Sequence, residues 1–584
     1  MGSTGANQPM EDALVPIIFG VTGHRDLQPE DLPYLEQRVR EIFLAIQSKY
    51  KNSPIALLSP LAEGADRLVA KVALEIGANL IVPLPMPAAE YEKDFIDSTS
   101  KSEFADLRSK SSACFELPLV EENTLQSISK SGPERDRQYE QVGAYIAQHS
   151  QILIALWNGV DDGKVAGTAA VVRFKFQGVP AVYAASPSVL SRPESGPVYH
   201  VRTPRISNPR VKGVAFEVDE LYPDYWGEKA RAQKAYDQML RCVDEFNADV
   251  RRNHASMLGN IADSRSYVVT EDQLMELAPG LRVILDRYAV SDVMAQMFQK
   301  MRFRTIRGLY GLVLVSFLVF QIYLEFWRTP GLLLPYPILS MVAIAWYLYA
   351  RSREYERKHQ DYRALAEAIR VQFFWSLTGV GANAADHYLR KHKGELEWIR
   401  YAIRVWGING DQITRTNPNT IALAQAQWVV DQAKWFRKRS GENATAIRKY
   451  HRSSQVLFIA SLSLAFVLLL LELFGARNHQ VFEVLIHPLM IFAIVSPLAA
   501  AATIQGYLEK LVLSEQLKQY ERMTGIYEFA AVGLQKAIAQ SQPAGALAIL
   551  LELGKEALTE NGDWILLHRA RPLDLPIIEA NLHP

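Results

Sequence analysis

Four long apolar stretches in the C-terminal half constrain the fold of this chain more than any other feature. They run approximately over residues 308–327, 331–350, 456–474 and 484–504. Each is close to the roughly 20 residues that an α-helix needs to cross the hydrocarbon core of a bilayer. Because short connections join them in two pairs, the sequence predicts two membrane hairpins. The alternative is helices buried in a large soluble domain, which their length and flanking charges do not favour.

Basic residues flank these stretches at one end. They precede the first stretch, follow the second and precede the third, as Arg302, Arg304, Arg307, Arg351, Arg353, Arg448, Lys449 and Arg452. Positive charge beside short loops marks the cytoplasmic side of a membrane. The polar first thirteen residues show no secretory signal. We therefore expect a multi-pass protein of the inner (plasma) membrane, with both termini in the cytoplasm.

The charge balance and the cysteine content limit the partners of the chain. Its 63 basic and 63 acidic residues cancel, so no global field attracts nucleic acid and no nucleic-acid partner is expected. Cys114 and Cys242 give neither a disulfide framework nor the spacing of metal ligands. We expect no metal and no required cofactor. The predicted partners are the lipid bilayer and a small molecule.

The N-terminal half reads as an α/β domain in which glycine loops follow short apolar strands. Strands are predicted at residues 15–21, 55–59, 79–84, 151–156 and 180–184, and helices at 31–50, 67–76 and 134–149. This alternation indicates a Rossmann-like parallel sheet. Its glycine loops then lie at the carboxyl ends of the strands, where open sheets bind ligands.

Candidate ligand-binding residues lie in and beside these loops. Glycines let backbone N–H groups approach a phosphate, and a helix N-terminus adds a favourable dipole. Arg25 could pair with a phosphate; its alternative is an ion pair with Asp26 or Glu30. Trp157 could stack on a base or fill the core, and His24 could contact a phosphate or hold the loop. The full set is Gly20, Thr22, Gly23, His24, Arg25, Glu63, Gly64, Asp66, Arg135, Tyr139, Trp157, Asn158, Gly159, Gly167 and Thr168.

Two family resemblances rest on these motifs. The segments Gly20-Val21-Thr22-Gly23-His24-Arg25, Glu63-Gly64-Ala65-Asp66, Trp157-Asn158-Gly159 and Ala166-Gly167-Thr168 resemble the SLOG superfamily of Rossmann-like nucleotide-binding domains. The membrane half, above all residues 427–437, resembles the two-span SLATT effector family. These resemblances imply a SLOG-like domain over 1–203, a helical linker over 204–280, SLATT-like units over 281–395 and 396–546, and a C-terminal tail over 547–584.

The resemblances also imply a function. A cytosolic domain would sense a nucleotide-derived ligand and gate a pore or membrane disruption by a homo-oligomer, in bacterial antiphage or conflict signalling. The alternative is a membrane-anchored nucleotide hydrolase or phosphoribohydrolase of the same superfamily. Hydrolase relatives carry a glutamate three residues after the Gly-Thr pair, where this chain has Val171. An aliphatic side chain cannot do acid/base chemistry, which favours binding without turnover.

Glu325 and Glu472 close the first and third apolar stretches. Ionisable residues near membrane spans are candidates for function, and a ring of carboxylates in an oligomer favours cations. The alternative is that each residue lies at the outer interface and ends its helix. The order of helix, hairpin and helix occurs twice, which indicates a duplicated unit.

Overall fold

A computed structural model describes residues 10–161, 163, 166–184, 196–223, 226–388, 396–408, 417–474 and 480–570. The chain divides into two compact units. The first contains Met1–Ser256 and Ala382–Asp411, and the second contains Met257–Gly381 and Gln412–Pro584. The predicted fold class, an α/β sheet domain and a helical region with four apolar helices, is confirmed.

Seven strands of the described residues form one sheet. They are β1 (Ile17–Gly23), β2 (Ile55–Leu58), β3 (Asn79–Leu84), β4 (Ala113–Glu116), β5 (Ile152–Trp157), β6 (Val198–Arg202) and β7 (Val218–Leu221). Their order is β4-β3-β2-β1-β5-β6-β7, and the pairing is parallel except between β6 and β7. The continuous burial of β1, β2 and β5 is typical of a parallel sheet that is covered on both faces. The strand order changes direction between β1 and β5.

The main helices of the α/β unit are α1 (Leu32–Lys49), α2 (Ala65–Glu75), α3 (Ser98–Ser109), α4 (Pro133–His149), α5 (Thr168–Gln177) and α6 (Lys229–Ser266), of which α6 extends past Ser256. Those that follow are α7 (Pro279–Glu325), α8 (Pro335–Ser352), α9 (Tyr355–Thr378), α10 (Glu397–Trp406), α11 (Asp431–Leu473), α12 (His487–Leu511), α13 (Leu513–Ala539) and α14 (Pro543–Arg569). Of this second group, α10 belongs to the α/β unit.

The structure corrects three parts of the sequence prediction for the α/β unit. The predicted fifth strand at 180–184 is wrong, because Ala181–Tyr183 form a 3-10 turn and β6 occupies that place in the sheet. The edge strand β4 was not predicted. The segment 204–280, predicted to be a linker, contains β7 and all of α6, and its residues up to Ser256 belong to the α/β unit. The α/β unit therefore extends well beyond residue 203.

A segment from far along the chain completes the core of this unit. In α10, the indole N–H of Trp406 donates to the carbonyl of Leu14 at 3.2 Å, and the hydroxyl of Tyr401 donates to the carbonyl of Pro16. Trp398 lies with its ring centroid 5.9 Å from that of Phe246 in α6. All three α10 side chains are buried. Because Leu14 and Pro16 directly precede β1, α10 is packed against the start of the central strand.

Four described helical segments are long and apolar enough to cross a membrane, as a membrane protein requires. Within the most apolar window of each, only 6% to 28% of the residues are buried inside the chain. Helix α7 contacts both α8 and α12, and α12 contacts α11, so the four lie in the order α8, α7, α12, α11. A bilayer is the environment that covers such apolar surface while every backbone group stays paired.

Hydroxyl groups join the two helices of each hairpin. The hydroxyl of Ser316 in α7 donates to the carbonyl of Tyr336 in α8 at 3.2 Å. In the second hairpin, the hydroxyl of Ser461 in α11 donates to the carbonyl of Ile494 in α12 at 2.6 Å. Small hydroxyl side chains commonly pack membrane helices in this way. The same type of contact therefore occurs in both hairpins.

Helices α7–α9 and α11–α13, called the two repeats from here on, break at the same place. Glu354 lies between α8 and α9 with φ +52°, and Val512 lies between α12 and α13 with φ +56°. A left-handed conformation costs a non-glycine residue about 1–2 kcal/mol and is unusual for a β-branched one. Next to these breaks, Glu356 Oε1 lies 3.1 Å from Arg302 Nη2 and 3.3 Å from Lys510 Nζ. One carboxylate thus joins the two repeats.

The predicted C-terminal tail contains a packed helix. In α14, the carbonyl of Leu550 accepts a hydrogen bond from the indole N–H of Trp375 at 3.0 Å. The side-chain amide of Asn561 donates to the carbonyl of Ala364 at 2.9 Å. Trp375 and Ala364 both belong to α9. Residues 543–569 are therefore part of the helical core.

The contribution of α10 can be tested in the α/β unit. Trp406→Ala removes a buried indole and its hydrogen bond to Leu14, so we expect the free energy of opening of β1 to fall by about 3–5 kcal/mol. Trp406→Phe keeps most of the volume and should cost about 1 kcal/mol. Amide hydrogen exchange of β1 peptides in the full-length protein measures both. If the β1 amides of Trp406→Ala are as well protected from exchange as those of wild type, α10 does not complete this core.

Candidate ligand-binding cavity

A cavity of about 460 Å³ opens at the carboxyl ends of β1 and β5, where the strand order of the sheet reverses. This is where open α/β sheets bind their ligands. The loops after β1, β2 and β5 and the start of α5 form its walls. Ten predicted residues line it: Thr22, Gly23, His24, Arg25, Asp66, Tyr139, Trp157, Asn158, Gly167 and Thr168. The structure thus brings the separate sequence motifs together around one space.

The loops after β1 and β2 are packed backbone against backbone. A Cβ atom on Gly23 would lie 2.3 Å from the Cβ of Ala65. Gly64 has φ +78°, and a Cβ atom there would lie 2.4 Å from the carbonyl oxygen of Arg25. Any larger residue would push the two loops apart. Gly64 does not line the cavity, and it shapes the wall by permitting this approach.

His24 holds the cavity walls together. Its Nε2 accepts a hydrogen bond from the backbone N–H of Asn158 at 3.0 Å, and its own backbone N–H donates to the carbonyl of Leu156 at 3.1 Å. Because Nε2 is an acceptor, the ring is neutral with its proton on Nδ1. Of the two predicted roles, contact with a phosphate or holding the loop, the structure supports the second: His24 joins the loops after β1 and β5.

Helix α5 begins at the cavity wall. Gly167 is its N-cap with φ +120°, and among the described residues, its chain neighbours apart, no atom lies within 4 Å of where its Cβ would be. In the described residues, no side chain caps this helix end. Gly167, Thr168 and Ala169 all line the cavity. The free N–H groups and the dipole of an uncapped N-terminus favour a negatively charged group there.

Arg25 lies next to the aromatic ring of Tyr139, and both residues line the cavity. Its guanidinium carbon lies 5.3 Å from the ring centroid of Tyr139, and the Tyr139 hydroxyl donates to Asp94. The predicted alternative for Arg25, an ion pair with Asp26 or Glu30, does not form among the described residues. Asp26 pairs with Arg205 instead, whose Nε lies 3.0 Å from Oδ1. This leaves the charge of Arg25 at the cavity.

Asp26 and Arg205 line the cavity and were not among the predicted site residues. Burial raises the pKa of Asp26, but hydrogen bonds from Ser207 and Arg205 outweigh it and lower the pKa to about 2. The carboxylate is therefore ionised and held. Arg205 follows the carboxyl end of β6, so a correct assignment of that strand would have pointed to it.

Asp66 is a buried carboxyl group in the first turn of α2. Its Oδ2 accepts a hydrogen bond from the backbone N–H of Ala62 at 3.3 Å. Burial raises its pKa to about 7, against the opposing effects of this hydrogen bond and of Arg25 and Arg67. Near neutral pH the group exists in both protonation states, so it can donate to or accept from a ligand hydroxyl.

One wall of the cavity is apolar. Val171 on α5 and Val142 on α4 both line it. A Cβ atom on Gly143 would lie 2.8 Å from Cγ2 of Val171, so α4 and α5 are in close contact here. This wall provides no group for acid/base chemistry.

Five predicted residues lie outside the cavity lining. Gly20 lets α4 pack on β1, and Gly159 adopts φ +80° in the loop after β5. Glu63 Oε1 accepts from the backbone N–H of Ile96 at 3.0 Å and from the hydroxyl of Ser100. Arg135 Nη2 lies 2.7 Å from Asp94 Oδ2. The fifth is Gly64, described above.

The two glutamates proposed for a pore lie at the ends of their helices. Glu325 is the last residue of α7, and its Oε1 accepts from the side-chain amide of Gln321 at 3.4 Å. Glu472 lies one residue before the end of α11, with Oε1 3.3 Å from Nε2 of His487 in α12. This pairing places Glu472 at the closed end of the second hairpin.

No protein-family model matches the chain. No curated protein matches it either.

The titration of Asp66 gives a testable pH dependence. Because its pKa is raised from 3.8 to about 7, the folded state keeps a proton that the unfolded state loses. The stability linked to Asp66 is complete below about pH 4 and is lost as the pH rises through about 7. Asp66→Asn cannot ionise, so it should be more stable than wild type at about pH 8 and show a flatter profile.

Amide hydrogen exchange of α2 peptides as a function of pH, corrected for the intrinsic exchange rate, measures this difference. The matched control is Asp106→Asn, a surface residue paired with Lys110, which should keep the wild-type profile. Parallel profiles for wild type and Asp66→Asn would contradict the assignment.

Proposed function

We propose that this protein is a ligand-gated membrane effector. Its α/β unit binds a nucleotide-derived molecule, and binding changes the helical unit so that the membrane becomes permeable, through a pore or by disruption. The cavity at the β1/β5 reversal carries this proposal, because it joins the open N-terminus of α5 to a cation. The resemblance to SLOG and SLATT families supports the same conclusion and suggests a role in bacterial antiphage or conflict signalling.

The cavity chemistry suits a phosphate-bearing ligand. Arg25 and the N–H groups of α5 would hold the phosphate, since both favour negative charge. The aromatic side chains of Tyr139 and Trp157 line the same space and provide surfaces for a base. Asp66 would meet a ribose hydroxyl. A volume of about 460 Å³ lies within the range of small-molecule sites.

The course of the chain supports a coupling between binding and the membrane helices. The chain passes from one unit to the other after Ser256, Gly381 and Asp411. Residues 382–411 follow α9 of the first repeat and precede α11 of the second. Their helix α10 is hydrogen-bonded to the residues before β1, the strand that ends at the cavity. A ligand-induced shift of β1 would therefore act on both repeats through α10.

A pore needs more helices than the four that one chain supplies, so the proposed protein is a homo-oligomer. If such a homo-oligomer conducts ions, the carboxylates of Glu325 and Glu472, near the ends of the hairpins, would favour the passage of cations. The basic flanks of the spans favour an inner-membrane orientation with both termini in the cytoplasm.

One observation favours hydrolysis as the second candidate function. Asp66 lies in the cavity wall with a pKa of about 7, which suits a general acid or base at neutral pH. Val171 in the hydrolase glutamate position argues against it. Product formation by wild type that Asp66→Asn abolishes would favour the enzyme over the effector.

Binding to the full-length protein tests the cavity. Wild type in lipid nanodiscs should bind at least one member of a panel of ADP-ribose, cyclic nucleotides and dinucleotides, measured by calorimetry. Arg25→Gln removes a charge-assisted hydrogen bond and should weaken that binding about tenfold or more.

The matched control is Arg38→Gln on the surface of α1, where Arg38 pairs with Glu41; it should bind as wild type. Equal affinities for wild type and Arg25→Gln would exclude this cavity as the binding site.

A further inference from the structure

Three helices from both hairpins bring polar side chains together at one edge of the apolar region. Arg307 in α7 donates from Nε to the hydroxyl of Tyr507 in α12 at 3.3 Å. The ring of Tyr507 lies 5.8 Å, centroid to centroid, from those of Tyr450 in α11 and Tyr310 in α7. Arg307 directly precedes the apolar stretch 308–327, and Tyr507 comes shortly after 484–504. The cluster of Arg307, Tyr450 and Tyr507 therefore lies at a membrane boundary.

The cluster has donors available for an anion. Arg307 is exposed, and among the described residues no carboxylate pairs with it. The Tyr450 hydroxyl likewise has no hydrogen-bond partner among the described residues. A guanidinium with free terminal N–H groups next to a phenol O–H is a favourable arrangement for a phosphate oxygen. Lys449 and Arg452 on α11 are exposed nearby in sequence and add positive charge.

An open apolar track continues from Arg307 into the spanning region. Gly311 lies one turn further along α7 and is exposed. Apart from its own helix, no atom of the described residues lies within 4 Å of the position of a Cβ there. Val315 lies one turn beyond that on the same side of the helix and is 47% exposed. A hydrocarbon chain could lie along this side of α7, beneath a headgroup held by Arg307.

We infer that this cluster binds one anionic phospholipid, whose phosphate accepts hydrogen bonds from Arg307 and from the Tyr450 hydroxyl. The acyl chains lie along Gly311 and Val315. The apolar track beneath the donors favours a lipid over a soluble phosphate. The bound lipid joins α7 of the first hairpin to α11 and α12 of the second, so it stabilises their contact.

Lipid retention by the full-length protein tests this inference. The protein is reconstituted in nanodiscs of phosphatidylcholine with a minor fraction of phosphatidylglycerol, then extracted in detergent. Mass spectrometry counts the phosphatidylglycerol that remains bound. Wild type should retain it in preference to phosphatidylcholine. Arg307→Gln should lower retention about tenfold, and Tyr450→Phe, which removes one hydroxyl, about threefold.

The matched control is Arg304→Gln, an exposed arginine on the same helix, which should change retention by less than about twofold. Equal losses in Arg304→Gln and Arg307→Gln would mean that a diffuse basic belt, and not this cluster, attracts the lipid. Displacement of phosphatidylglycerol by soluble glycerol phosphate would show a phosphate site that needs no acyl chain. Either result overturns the inference.

Discussion

The helical unit depends on one constraint, which is that its longest apolar helices cannot bury themselves within the chain. At most 28% of the most apolar window of each is covered by protein. A helix is one of the few structures that pairs all its backbone groups inside a bilayer, so the membrane both requires and permits this exposure. The four helices lie in the order α8, α7, α12, α11. Hydroxyl groups join the two helices of each hairpin. Glu356 joins the two repeats near the breaks that follow α8 and α12. The left-handed residues Glu354 and Val512 mark the point where each spanning helix gives way to a packed one.

The α/β unit depends on a different constraint, the change of direction between β1 and β5. From β1 the chain continues to β2 on one side of the sheet, and from β5 it continues to β6 on the other side. The loops after β1 and β5 therefore separate, and a cavity forms between them. His24 and Gly64 fix the walls, while Arg25 and the N-terminus of α5 supply the positive character. β1 ends at the cavity, and the residues just before it are hydrogen-bonded to α10. Helix α10 lies in the segment that joins the two repeats along the chain.

Local sequence predicted the features that depend on local physics. The apolar stretches, four of the five predicted strands and the glycine loops follow from periodicity and turn chemistry, and the loops do surround one cavity. Long-range choices were not predictable. Residues 180–184 are more apolar than residues 198–202, yet the second segment pairs with β5 and β7 and forms the strand. Arg135 was a site candidate by position, yet Asp94, distant in sequence, holds it elsewhere. No local signal assigns α10 to the α/β core.

The central claim is that occupancy of the cavity controls the membrane helices. Ion flux from proteoliposomes that contain the full-length protein, with and without a nucleotide ligand shown to bind it, tests this most directly. Flux should appear when the ligand is added to wild type and should be absent in Arg25→Gln at the same ligand concentration. Flux of equal size with and without ligand, or unchanged in Arg25→Gln, would contradict it.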